Sequence, residues 1–316
     1  MQATIALAAR SPALAAPNPC VGCIVVKNGV VIGRGVTAKG GRPHAEAMAL
    51  EQAGEAAKGA TVYVTLEPCA HKSNRGPACS DLLSAAQPER VVIALTDPDP
   101  RTAGNGTERM RAAEIAVIEG VAKEAAAYQL AGYLSQQRLG RPHIMLKLAT
   151  SLDGQIAMAD GTSQWITGEQ SRAHAHSERA RFEAILVGGE TLRQDAPRLD
   201  VRLPGLEERS PERIVLSRSA TPEGWTGISS PEEVHDLEVQ SLMVEGGAGA
   251  AAAFLRADLV DELLLYRAPI IIGQGRAALS DIGLTNLSDA HGQWRCIETR
   301  HLGNDQMERY LRVRAA

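Results

Sequence analysis

The chain has 316 residues, 44% hydrophobic and 22% charged, with 33 basic against 37 acidic side chains and a net charge of -4. At roughly one domain per 150 residues this is two globular domains rather than one. The near balance of charge, with no long run of one sign, excludes a nucleic-acid-binding surface as the main business of the chain, and no window approaches the roughly 18 apolar residues of a membrane span.

The opening "MQATIALAARSPALAAPNP" is mildly apolar but has no basic leader, and Pro12, Pro17 and Pro19 punctuate it. It does not read as a signal peptide, so a cytoplasmic protein with reduced thiols is expected. Four of the five cysteines fall in the first 79 residues, which suits metal or catalytic use better than a disulfide framework. "CIVVKNGVVIGRG" is two β-branched runs around Asn28-Gly29, the dipeptide a type I′ turn prefers, and predicts a hairpin. A helix follows Pro43 and ends at Gly54. "ATVYVTL" then reads as strand, "CSDLLSAAQ" as helix, "RVVIAL" as strand, "TERMRAAE" as helix, "IAVIEG" as strand and "VAKEAAAYQLAGYLSQQ" as one helix.

"QQRLGRPH", Gln136 to His143, carries Gly, Pro and charge and marks the expected boundary, with domains at 1–140 and 141–316. Alternation then restarts with strands at "HIMLKLAT", "AILVGG", "ERIVLS", "QSLMVEGG" and "DELLLYRAPIII", and helices at "GEQSRAHAHSERARF" and "AGAAAAFLRAD". Both halves are therefore expected to be α/β.

The first half places a His, a Glu and two Cys at helix starts: "RPHAEAMAL" and, twenty residues on, "LEPCAHKSNRGPAC". A catalytic zinc site takes three protein ligands and keeps one position open. His44, Cys69 and Cys79 make such a set if the two helix starts converge. Thiolates at helix N-termini are favoured by free backbone N–H groups and by the helix dipole. Glu46 would then sit beside the metal without ligating it, placed to carry a proton from water to a leaving amine. Two plainer readings compete: His44 as a simple cap, and a structural four-cysteine zinc site built with Cys20 and Cys23. Cys23, however, opens an apolar strand, where a thiol behaves as a small hydrophobe.

The order His-x-Glu, Pro-Cys, Cys resembles the zinc-dependent cytidine deaminase superfamily. With "APNPCVGC", "GGRPHAEAMAL", "TLEPCAHKSNRGPAC" and "DPDP", the first half resembles the deaminase part of the bifunctional riboflavin-biosynthesis family, diaminohydroxyphosphoribosylaminopyrimidine deaminase joined to 5-amino-6-(5-phosphoribosylamino)uracil reductase. "LKLATSLDG", "SQWITG", "ERARFEAILVGGETLRQDAPRLDVR" and "MVEGGAGAAAAF" resemble its reductase part. The resemblance covers essentially the whole chain. It implies a cytidine-deaminase-like α/β/α domain followed by a dihydrofolate-reductase-like α/β domain, with Zn2+ and NADPH as cofactors. It further implies a small phosphorylated pyrimidine as substrate, no nucleic-acid or membrane partner, and a homo-oligomer, dimer or tetramer.

Carried over by motif, Ala149, Trp165, Thr191, Asp195, Ser217 and the turn Gly247, Ala248, Gly249, Ala250 and Ala251 resemble cofactor-binding positions. Ser163, Arg179, Leu199, Arg202 and Glu245 resemble substrate positions, the arginines suiting a sugar phosphate. Taken singly, Trp165 reads as readily as core and Arg179 as a solvated helix face. "VEGGAGAA" is in its own right a glycine-rich strand-to-helix turn of the kind that brings backbone N–H groups to a phosphate. Its Gly-x-Gly-x-x-Ala spacing also invites a Rossmann reading, but that needs an acid ending the next strand, and none follows "LLLYRAPIII" until Asp281.

The chain departs from the family in five places. One residue more than is typical separates Cys69 from Cys79, in the loop that carries His71, Lys72 and Arg75. Thr37, Asp99 and Asn105 stand where a His, an Asn and a basic residue are common, which bears on how the ribose phosphate is held. The segment from Arg202 to Glu245 is short. Two other functions keep company with the main reading: a zinc deaminase of another pyrimidine or nucleoside with a non-catalytic second domain, and a non-enzymatic zinc-stabilised binding module.

Overall fold

The computed structural model describes residues 1–10, 12–71 and 75–314; Lys72 lies outside the described residues. It resolves into two compact units, Met1–Gly140 and Arg141–Ala316.

In the first unit the order is α1 (Gln2–Ala8), β1 (Gly22–Lys27), β2 (Val30–Val36), α2 (Ala45–Ala53), β3 (Thr61–Val64), α3 (Cys79–Ala86), β4 (Arg90–Ile93), α4 (Asn105–Ala112), β5 (Ala116–Ile118), α5 (Lys123–Gln129) and α6 (Ala131–Leu139). Asn28 and Gly29 both have positive φ, 51° and 76°, and Lys27 pairs with Val30, so the hairpin closes through the tight turn its sequence favours. The sheet runs β2-β1-β3-β4-β5, antiparallel on either side of β1 and parallel from β3 to β5. Val25, Val62, Val64, Val91 and Ile93 are buried in a core that takes Ala45 and Ala49 from α2, Leu83 from α3 and Met110 from α4. The approach of α2 is set by Gly33 and Gly35 on β2: a Cβ there would lie 2.1 Å from the Ala49 carbonyl oxygen and 2.0 Å from that of Ala45. The single helix expected after Val121 is instead two, parted at Leu130 (φ -98°, ψ 14°).

The second unit comprises β6 (His143–Thr150), β7 (Gln155–Met158), α7 (Glu169–Arg179), β8 (Ala184–Gly188), α8 (Gly189–Asp195), β9 (Glu212–Leu216), β10 (Thr226–Ile228), β11 (Ser241–Val244), α9 (Ala248–Arg256), β12 (Glu262–Arg267), β13 (Gly275–Ala277), β14 (Trp294–Leu302) and β15 (Asp305–Arg312). Its main sheet has the order β10-β9-β8-β11-β6-β12-β15-β14, parallel up to β12 and antiparallel in the last three strands; β7 and β13 form a separate pair. Alternating residues serve opposite faces, as a pleated strand requires. Ile144, Leu146, Leu186, Leu242 and Val244 pack with Phe254 of α9, while Met145, Ile185, Val187 and Met243 pack with Ala175 of α7.

The strand pair closing the chain escaped the sequence reading because "DQMERYLR" puts charge where a core strand would be apolar. Arg309 is only 4% exposed. It is neutralised there by Glu262, by Glu178 at 3.1 Å and by Glu298 at 3.3 Å. The Rossmann reading is not realised: β6 lies between β11 and β12, so the glycine turn does not join adjacent strands.

Candidate active sites

In the first unit, β3 ends at Val64 and the chain runs on through Pro68 to Cys69, while His44 immediately precedes α2 and Cys79 opens α3. These three residues meet. His44 Nδ1 is 3.3 Å from Cys79 Sγ and 3.6 Å from Cys69 Sγ, and the Cys79 N–H donates to Cys69 Sγ at 3.3 Å. Their three ligand atoms lie within 4.8 Å of one another, a spacing that suits one metal ion. The other imidazole nitrogen, Nε2, is 3.2 Å from the side-chain nitrogen of Asn18, which also donates to the Gly41 carbonyl at 3.1 Å. Asn18, in "APNPC", thereby fixes the ring. A hydrogen bond from the Cys79 thiol, with help from His44 and the Cys79 N–H, overcomes burial and holds Cys69 down to about 4, whereas the same bond and burial push Cys79 up. Two thiols holding one proton between them, beside an imidazole, are a donor set that a dication satisfies by displacing that proton.

Glu46, in the first turn of α2, is 3% exposed, and burial chiefly pushes its carboxyl up to about 7, in contact with the Cys79 thiol. It lies outside the ligand group. Cys20 and Cys23 do not join that group either: Cys23 is buried in the core, and the Cys20 thiol donates to the Ala8 carbonyl at 3.3 Å. Among the described residues, then, the four-cysteine alternative has no geometry.

A residue that the sequence reading quoted but did not use, Glu67, supports this site from below. Its buried carboxylate accepts the N–H groups of Asp97 at 3.3 Å, Gly104 at 3.0 Å and Thr107 at 3.1 Å. It anchors the "DPDP" segment and the start of α4 beside Cys69. The signal was an acid between an apolar strand and Pro-Cys, where a buried carboxylate needs several donors. Of the departures from the family, Thr37 is buried and accepts the Val21 N–H at 2.9 Å. Asp99 is held below the usual carboxylate range by the Arg101 guanidinium, bonded to both its oxygens. Asn105 opens α4. In the loop between the cysteines, His71 Nδ1 lies 3.4 Å from Thr102 Oγ1 and Arg75 donates to the Gly40 carbonyl at 2.7 Å.

In the second unit two adjoining clefts open above the sheet. The larger, about 580 Å³, is lined by Ala149, Thr191, Asp195, Gly247, Ala248, Gly249 and Ala250 of the expected cofactor positions. The smaller, about 440 Å³, is lined by Trp165 and Arg202. Ser163, Arg179, Leu199 and Glu245, with Lys147, line both. Trp165 is not core: it is 63% exposed, with Arg172 over its ring at 4.7 Å. Arg179 is not a solvated face: its Nε and Nη2 clasp the two Glu245 oxygens at 2.6 and 2.8 Å. Lys147, which the sequence reading passed over because it sits mid-strand, reaches the same carboxylate at 3.5 Å and lies 5.7 Å from the Tyr266 ring centre.

The glycine turn is built for a close ligand. Thr191 Oγ1 accepts the Gly247 N–H at 3.0 Å, fixing the turn, and no side chain caps α9. Ala248, Gly249 and Ala250 of its first turn line the cleft, and a Cβ on Gly249 would meet nothing within 4 Å, so the space above it is open. Two expected positions lie elsewhere: Ala251 is wholly buried against the sheet, and Ser217 places its hydroxyl beside Gly189, 2.8 Å from where a Cβ would stand, without lining either cleft.

Comparison with known proteins covers both units. The family model described as the cytidine and deoxycytidylate deaminase zinc-binding region matches residues 1–95, and the RibD C-terminal domain matches residues 142–226 and 228–307. The riboflavin biosynthesis protein RibD of Escherichia coli is 39% identical over 355 aligned positions, covering 96% of each chain. That of Aquifex aeolicus is 36% identical, covering 92% of this chain and 91% of its own. Among solved structures, Acinetobacter baumannii RibD superposes with a TM-score of 0.88 at 34% identity over 99% of this chain and 98% of its own. The Thermotoga maritima diaminohydroxyphosphoribosylaminopyrimidine deaminase/5-amino-6-(5-phosphoribosylamino)uracil reductase does so with a TM-score of 0.86 at 30% identity, over 99% and 97%.

Proposed function

Because the chain belongs to the RibD family of riboflavin biosynthesis proteins, a zinc-dependent deaminase joined to an NADPH-dependent reductase, we propose how its two units divide that work. Residues 1–140 deaminate 2,5-diamino-6-ribosylamino-4(3H)-pyrimidinone 5′-phosphate, and residues 141–316 reduce the ribosyl chain of the product to ribityl. The observation that carries the reading is the convergence of His44, Cys69 and Cys79 with a buried carboxylate that is not one of the ligand group.

His44, Cys69 and Cys79 hold the zinc, which when bound supplies the Lewis acidity that makes water a nucleophile at neutral pH. Glu46 takes the proton from that water and delivers it to the departing amine, which leaves as ammonia. Its burial keeps the carboxyl basic enough for both transfers. Asn18 holds the imidazole in place, and Glu67 holds the floor on which Cys69 rests. In the second unit, Ala149, Trp165, Thr191, Asp195 and the Gly247 to Ala250 turn would hold NADPH, which would supply hydride to the ribosyl C1′ in its open imine form, whereas Ser217 and Ala251 stand outside the cleft. Ser163, Arg179, Leu199, Arg202 and Glu245 bind and orient the sugar phosphate. No helix among the described residues is long and apolar enough to cross a membrane. The enzyme works in the cytoplasm as a homo-oligomer, dimer or tetramer.

The test follows ammonia release and NADPH absorbance together on the diaminopyrimidine phosphate. Glu46→Gln is expected to lower ammonia release by about 10²- to 10⁴-fold with zinc content unchanged, and Cys79→Ala to lose zinc. Ammonia release by Glu46→Gln at the wild-type rate, or full zinc in Cys79→Ala, would sink the assignment. Ammonia release without any NADPH binding by titration would instead favour a deaminase with an inert second unit.

A further inference from the structure

Three cations line the larger cleft: Lys147, Arg179 and Arg276. The first two are committed to one buried carboxylate, Glu245. Arg276 is held differently. Its Nη1 donates to Gln194 Oε1 at 3.1 Å and lies 3.8 Å from a carboxylate oxygen of Glu190, whose side chain is 72% exposed. An ion pair so open to water is weak and cheaply exchanged.

Its placement, by contrast, is fixed by three separate segments. Arg276 sits on β13, opposite Ala157 of β7. Gln194 and Glu190 belong to α8 across the mouth of the cleft. Gly161, also in the lining, has φ +97°, and a Cβ there would lie 3.1 Å from the guanidinium. The bare glycine lets the guanidinium approach the turn this closely, in the lining of the cleft.

Resting on the reading of this cleft as the NADPH site, we propose that Arg276 binds a phosphate of the dinucleotide, exchanging its contacts with Gln194 and Glu190 for that phosphate. A dinucleotide phosphate carries full charge, and a guanidinium pairs with it through two parallel hydrogen bonds.

The experiment is a titration of the full chain with NADPH, read by cofactor fluorescence at two ionic strengths, with NADH in parallel. Arg276→Gln is expected to weaken NADPH binding about ten-fold and to flatten its salt dependence, with the melting temperature unchanged. Arg276→Lys, which keeps the charge without the fork, is expected to recover part of the loss. Weakening of NADPH and NADH alike assigns the contact to the diphosphate bridge; weakening of NADPH alone assigns it to the 2′-phosphate. An unchanged affinity and salt slope in Arg276→Gln overturns the proposal, as does a loss accompanied by a lowered melting temperature and no recovery in Arg276→Lys. Failure of the wild type to bind NADPH overturns the reading of the cleft itself.

Discussion

Glu245 shows how a single residue organises the reductase clefts. Burial alone would raise its carboxyl, but Lys147 and Arg179 overcome that and hold it down to about 2. The carboxylate is therefore charged at every working pH and keeps both cations pointed at the place where the two clefts meet. Arg179→Met leaves that charge with Lys147 alone, 3.5 Å away. It is expected to lower stability by about 3 kcal/mol, the usual cost of removing one partner of a buried pair, as measured by denaturant unfolding. Adding Glu245→Gln to that variant is expected to restore most of the stability but no reductase activity, because the side chains then pack without orienting anything. Recovery of both together would mean that the pair has only a structural role.

Among the elements, α2 carries Glu46 in its first turn and His44 at its N-cap, and its depth on the sheet is set by a pair of glycines. Gly35→Ala would place a methyl 2.0 Å from the Ala45 carbonyl oxygen, so the helix must lift and carry His44 and Glu46 away from the cysteines. Zinc content by metal analysis is expected to fall with ammonia release, while NADPH titration of the second unit is unchanged; retained zinc would show that the site tolerates the shift. The elements that hold the zinc ligands were legible because each has a local cause. Asn28-Gly29 dictates the hairpin turn, Pro43 precedes the start of α2, and His-x-Glu and Cys79 stand at helix starts, whereas Cys69, expected at one, lies in the loop after β3. Much of the second unit was not, because its causes are distant. β7 and β13 are short strands that exist only by pairing with each other. β15 hides charge that residues 47 and 131 positions earlier in the chain neutralise. Lys147 has meaning only beside Glu245, and Glu67 only beneath three amides from a later loop. The glycine turn was legible as a phosphate cradle, but the burial of Ala251 was not, since only the depth of α9 on the sheet decides which of its alanines face the cleft.

The whole molecule carries a pH dependence to which a carboxyl outside both sites contributes alongside Glu46. Glu183, just before β8, is pushed up to about 7 by burial, with Glu212 adding to the shift and the Gln240 N–H and Ser241 hydroxyl opposing it. A raised carboxyl keeps its proton in the folded chain while the unfolded chain has released it. Between pH 4.5 and about 7 the folded state therefore binds more protons, and stability falls as pH rises through that window. Glu183→Gln is expected to melt with the wild type at pH 4.5 and about 3 °C above it at pH 8. A constant difference at both values would show that the carboxyl is ionised throughout.

The buried charges of β15 carry a last consequence for how the chain finds its fold. Side chains alternate faces along a strand, so sliding β15 by one residue against β12 would turn Arg309 to the other face of the sheet, away from Glu178 of α7 and Glu262 of β12. An apolar strand in that place would have several registers of nearly equal worth. With arginine as its key the closing strand fits one lock, and the sheet beneath both clefts has a single way to be finished.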